Sequence, residues 1–85
     1  MTTRLDVPIL VAESDTGVSR ELLRMWERRY GFPAPRRNAR GIRQYPPEQI
    51  DKLRLLRQLI DRGRRPGQII ALDCEQLAQI LAQGD

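Results

Sequence analysis

Leu22, Leu23, Trp26 and Tyr30 recur at the spacing that lines one face of an α-helix. Ser19 stands just ahead of that stripe, where a hydroxyl can cap the first turn, and Gly31 stands just after it, where a helix commonly ends. The pattern therefore predicts a helix from about 19 to 31. Upstream, Pro8 suits the first turn of a helix, because the proton it lacks would have no partner there. Ile9 and Ala12, three apart, give a short helix over 9–15 one apolar face. Thr16-Gly17-Val18 breaks that helix, since Gly reaches the left-handed conformation that a tight turn needs. Downstream, Phe32-Pro33-Ala34-Pro35 cannot be helical. From Arg36 to Tyr45 residue character alternates around Asn38 and Gly41, which predicts a β-hairpin with a loop. Pro46-Pro47-Glu48 opens a third helix, with Ile50, Leu53, Leu56, Leu59 and Ile60 as its stripe and Gly63 at its close. Arg64-Arg65-Pro66 leads into a short helix around 67–71, and Asp73 caps a last segment over 74–82 carrying Leu77, Ile80 and Leu81.

Two short helices joined by a three- or four-residue turn containing Gly form a helix-turn-helix pattern. An arginine-rich hairpin directly after it stands where a wing belongs. The expected fold class is mainly α with a small β-hairpin, a winged helix-turn-helix. The expected organisation is a flexible N-terminus over 1–7, the winged domain over 8–72, and a C-terminal helical segment or truncated linker over 73–85.

Charge sharpens this picture. The formal net charge is +4, yet between Arg20 and Arg65 thirteen Arg and one Lys face five acids, a local balance of +9, while the remainder balances at −5. Such a block is either a solvated surface or the footprint of a polyanion. Arg20, Arg24 and Arg28 lie four apart on one helix face, where like charges repel unless an anion meets them. Arg36, Arg37, Arg40 and Arg43 crowd into eight residues of the hairpin, a density suited to phosphate contacts along a DNA backbone. Tyr45 either donates its hydroxyl to a phosphate or packs its ring on the third helix, and Trp26 is expected in the core.

Catalysis is not expected. The chain has no His, its acids are scattered singly among arginines, and no glycine-rich phosphate loop follows a strand. One cysteine, Cys74, forms no internal disulfide, and with no His beside it no zinc site is expected. A reducing, cytoplasmic setting fits. No apolar run approaches the roughly 18 residues that cross a membrane, and the first six residues lack a signal-peptide pattern.

Thr16-Gly17-Val18-Ser19 resembles the turn of MerR-type regulators. Leu23-Arg24-Met25-Trp26-Glu27-Arg28-Arg29-Tyr30-Gly31-Phe32-Pro33 resembles the second helix and exit of one branch, the light- and cobalamin-responsive repressors. The wing pattern P-x-P-x-R-x-x-x-G-x-R-x-Y is met by Pro33, Pro35, Arg37, Gly41, Arg43 and Tyr45, and Arg65-Pro66-Gly67 fits the same branch. The resemblance runs over about residues 8–72 and implies a domain that binds double-stranded DNA in a transcriptional regulator, a repressor by branch. It implies that Arg24 is the recognition-helix arginine, with Ser19 and Arg20 near DNA at the helix start. Arg43 and Tyr45 would be wing contacts helped by Arg37, and Arg64 and Arg65 would touch the far phosphates.

Two positions depart from the family pattern. Leu22 stands where Thr is frequent, and Glu21, on a face that should meet DNA, either accepts from a cytosine amino group or points away. No cofactor is expected in this chain. Family members usually continue into a dimerisation helix, so a homodimer is expected only where a longer parent chain supplies that region. The chain is then either a domain cut from a longer regulator or a naturally short relative. Two other readings remain open: an excisionase-like architectural DNA-binding protein, and a protein-interaction module meeting an acidic partner.

Overall fold

The computed structural model describes residues 5–83. The first helix, α1, spans Ile9–Thr16, with Pro8 at its N-cap rather than inside its first turn. Gly17 follows at φ +76°, and its amide donates to the Glu13 carbonyl at 2.9 Å. Thr16 knits the turn together: its buried hydroxyl donates to the Ala12 carbonyl at 2.7 Å and accepts from the Val18 amide at 3.1 Å. Ala12 and Val18 are fully buried beneath this turn.

Helix α2 covers Arg20–Tyr30. Ser19 caps it, accepting from the Leu22 amide at 3.2 Å. The Glu13 carboxylate reaches across from α1 and accepts from the Arg20 amide at 2.9 Å, so two orphan donors of the first turn are satisfied. Leu23 and Trp26 turn inward and are buried. Gly31, at φ +73°, ends the helix.

Strands β1 (Arg36–Arg37) and β2 (Arg43–Gln44) pair antiparallel, Arg36 opposite Gln44 and Arg37 opposite Arg43. Asn38 shapes the connection, its side-chain oxygen accepting from the amides of Arg40 and Ile42 at 2.8 and 3.0 Å. Gly41 supplies the left-handed residue that closes the loop, at φ +76°. The N-terminal segment is tied to this wing. Val7 and Tyr45 exchange backbone hydrogen bonds of 2.9 and 2.7 Å, and Asp6 pairs with the Arg36 guanidinium. The expected flexible stretch thus carries an ordered bridge at its end, while its first four residues lie outside the described residues.

Helix α3 (Pro47–Asp61) is the central strut, with Pro47 at its start and Ile50, Leu53, Leu56 and Leu59 buried. It packs against α1, against the short α4 (Pro66–Ile69) and against α5 (Cys74–Ala82). Helix α5 opens with a capping box between Asp73 and Gln76 and buries Leu77 completely, so the segment expected at 74–82 is docked on the same core. Burial of one Leu side chain is worth about 1.5–3 kcal/mol. The C-terminal stretch expected at 73–85 extends past the described residues at 84 and 85. No described helix is long and apolar enough to cross a membrane.

Candidate nucleic-acid interface

Between α2 and the wing lies an open cleft of about 600 Å³, lined by Arg24, Glu27, Arg28, Arg37 and Arg43. Helical spacing puts Arg24 and Arg28 on its helix side, and strand register puts Arg37 beside Arg43 on its wing side. Like charges directly opposed across two strands repel. Glu27 relieves that repulsion: one of its carboxylate oxygens lies 3.0 Å from Nη1 of Arg43. Its other oxygen accepts from the Tyr45 hydroxyl at 2.8 Å. The Glu27 side chain is only 12% exposed, so a desolvated carboxylate is held by partners on both oxygens. Arg37 turns back on its own loop and donates to the Gly41 carbonyl at 2.8 Å, which leaves its charge without a counterion.

The arginine block sorts into two groups. Arg54 is clasped by Asp15 and Asp51, Arg57 pairs with Asp61 at 3.2 Å, and Arg36 pairs with Asp6 at 2.9 Å. The Asp6 hydrogen bond and charge raise the Arg36 pKa further above its ordinary value. Arg24, Arg28, Arg37 and Arg40 have no carboxylate within 4 Å among the described residues, and neither do Arg64 and Arg65. The uncompensated positive charge thus collects on the outer side of α2, on the wing, and on the loop before α4.

The remaining candidates take distinct places. Ser19 is exposed but its hydroxyl oxygen is engaged as the cap of α2. Arg20 is exposed at the start of α2, its Nε 3.9 Å from Glu21. Glu21 itself is 81% exposed and faces solvent. Leu22 packs against the core, a use that a Thr would not fill as well. Arg36 is exposed on β1 of the wing, its guanidinium paired with Asp6 of the N-terminal segment that runs beside it. Arg40 is exposed at the wing tip. Arg64 and Arg65 are exposed but lie outside the cleft lining, where α4 meets the end of α2: a Cβ placed on Gly67 would sit 3.3 Å from the Tyr30 hydroxyl.

Tyr45 is fully buried, and its hydroxyl donates to Glu27 from beneath. Burial first, then the Glu27 hydrogen bond and charge, pushes its pKa up to about 12.

Sequence reasoning passed over Glu27 and Gln49. Glu27 follows Trp26 and stands four after Leu23, hence on the inward edge of α2, where a carboxylate needs partners; that was the available signal. Gln49 clasps the link between α2 and the wing, its side-chain oxygen accepting from the Ala34 amide at 2.8 Å and its nitrogen donating to the Ala34 carbonyl at 3.0 Å. No sequence signal marks it.

A capped helix-turn-helix followed by a short arginine-lined hairpin, all seated on one long helix, is a winged helix-turn-helix of the kind found in DNA-binding regulators. The family model described as "MerR HTH family regulatory protein" matches residues 9–73, and the chain belongs to that family. It is 44% identical over 55 residues to the HTH-type transcriptional repressor CarH of Myxococcus xanthus, covering 65% of this chain and 18% of that protein. It is also 44% identical over 46 residues to the repressor CarA of the same organism, covering 53% of this chain and 16% of that protein. The matched stretch thus spans less than a fifth of either relative.

Proposed function

We propose that this chain binds double-stranded DNA with sequence preference, as the DNA-binding domain of a cytoplasmic transcriptional repressor. In this reading α2 enters the major groove, Arg24 and Arg28 reach base edges or flanking phosphates, and Arg37 and Arg40 ride on the backbone, with Arg43 beside them on the wing but paired with Glu27. Arg64 and Arg65 meet phosphates beyond the end of α2. The observation that carries the reading is the cleft itself: a helix face and a wing converge on one concave surface whose arginines outnumber their counterions. Family membership and the two repressor relatives support the regulatory role. Catalysis and a cofactor have no part in this reading. Two copies would act together where a longer parent chain supplies the dimerisation region.

The test is selection of duplexes from a random library by the chain, followed by anisotropy titrations of the enriched duplex and a scrambled one at several salt concentrations. The reading expects a preference for the enriched duplex and a falling log affinity with log salt. A flat salt response, or equal binding to an acidic protein that mimics DNA, would remove it.

A further inference from the structure

We infer that Glu27 is a positioning residue that sets the sequence preference of the DNA-binding face by locking the wing to α2. The inference rests on the DNA-binding reading above and adds a residue to it. Glu27 contributes no donor and, with both oxygens engaged, is not placed to read a base. Its own position on α2 is rigid, because Leu23 and Trp26 on the same helix are buried. Its two partners both belong to the wing or its end: Arg43 in β2 at 3.0 Å and Tyr45 one residue beyond β2 at 2.8 Å. The link is therefore a two-point brace, and two points fix an angle where one would leave a pivot. Site geometry must hold to within about 0.5 Å for directional contacts to form. The wing is two residues long in each strand; the Gln49 clasp holds the link that leads into it, and Glu27 is the α2 side chain that reaches across the cleft to β2 and its end.

The same carboxylate is a negative charge in a face meant for a polyanion, so on electrostatics alone it lowers affinity. Its two effects have opposite signs on different observables, which makes them separable. Glu27→Gln keeps size and shape, but its carboxamide is uncharged, so the ion pair with Arg43 is lost and the Tyr45 bond survives only reversed, with the amide donating to the phenol oxygen. The brace loses its charge-assisted half, and a negative charge leaves the face.

The experiment uses the 85-residue chain, with the wild type, Glu27→Gln and Tyr45→Phe, after thermal melts establish that each is folded. Each is titrated against the duplex enriched by the wild type and against a scrambled duplex. Glu27→Gln is expected to bind the scrambled duplex as well as the wild type or better. Its salt slope should steepen by about 0.9, for one more unneutralised arginine. Its preference ratio should fall about tenfold, within the discrimination that one bidentate base contact carries. Tyr45→Phe removes one brace point and no charge, so its preference should fall while its salt slope stays put. This variant also carries the test if Glu27→Gln fails to fold.

Equal strengthening on both duplexes by Glu27→Gln would overturn the inference, because the carboxylate would then only repel phosphate. Proportional weakening on both duplexes would overturn it too, because the role would then be general stability. A wild type that discriminates alongside a Glu27→Gln that discriminates equally sinks this inference and spares the proposed function. A wild type that does not discriminate sinks both.

Discussion

Removing a compensated arginine and removing an uncompensated one should have different effects on DNA binding, although each changes the net charge by one. Arg24, Arg28, Arg37 and Arg40 face no carboxylate within 4 Å among the described residues. Each phosphate neutralised contributes about 0.9 to the slope of log affinity against log salt, so these four supply about −3.6, and Arg64 with Arg65 extend the total to about −5.4. Arg24→Ala should reduce the magnitude by about 0.9 and Arg28→Ala by the same amount. Arg54 sits on α3, bound to Asp15 and Asp51 with its side chain 44% exposed. Arg54→Ala should leave the slope unchanged and cost about 0.2–1 kcal/mol of stability, as a half-exposed ion pair does. In a domain of this size that lowers the melting temperature by a few degrees. Anisotropy titrations of one duplex at four salt concentrations, with thermal melts alongside, measure both quantities. If Arg54→Ala and Arg24→Ala flatten the slope equally, only net charge matters and the sorting of arginines by partner is wrong.

Three further outcomes follow from the packing. Tyr45, raised to about 12 in the fold from an ordinary 10.0, keeps its proton between those values while the unfolded chain gives its proton up; stability should therefore be full below pH 10, fall as pH rises toward 12, and lose that fall in Tyr45→Phe, by urea unfolding across the window. Leu23→Ala, at a fully buried position, should cost about 2–5 kcal/mol in the same assay. Gly41→Ala meets no atom within 4 Å, but at φ +76° the left-handed backbone alone should cost about 1–2 kcal/mol, and a loss of stability near zero would show that the wing loop rearranges.

Much of this was written in local punctuation. Gly17, Ser19, Gly31, Pro47 and Asp73 act within a turn of where they stand, so the ends of α1, α2, α3 and α5 could be placed from the chain alone. Hydrophobic spacing named Leu23, Leu53, Leu56 and Leu77 for the same reason. The brace could not be placed that way, because Glu27 and Tyr45 are 18 positions apart and the Asp6–Arg36 pair spans 30. Their meeting depends on the angle between α2 and the wing, which no local preference encodes. Charge density likewise located the basic face but not its internal bookkeeping: Arg36 and Arg43 look like Arg37 and Arg40 until acids from elsewhere in the chain come into reach.

The Gln49 clasp carries a consequence for how this domain can change over generations. Gln49 grips Ala34 by its amide and carbonyl, which every residue but proline offers, and the Ala34 side chain is exposed. Position 34 is therefore free to drift in side chain without loosening the link that carries the wing, and only a proline there would remove the donor. The constraint falls instead on position 49, where one particular side chain must present an acceptor and a donor side by side. Tolerance and rigidity thus sit at opposite ends of one contact, and a surface label attached at position 34 would travel with the wing while leaving its anchor untouched.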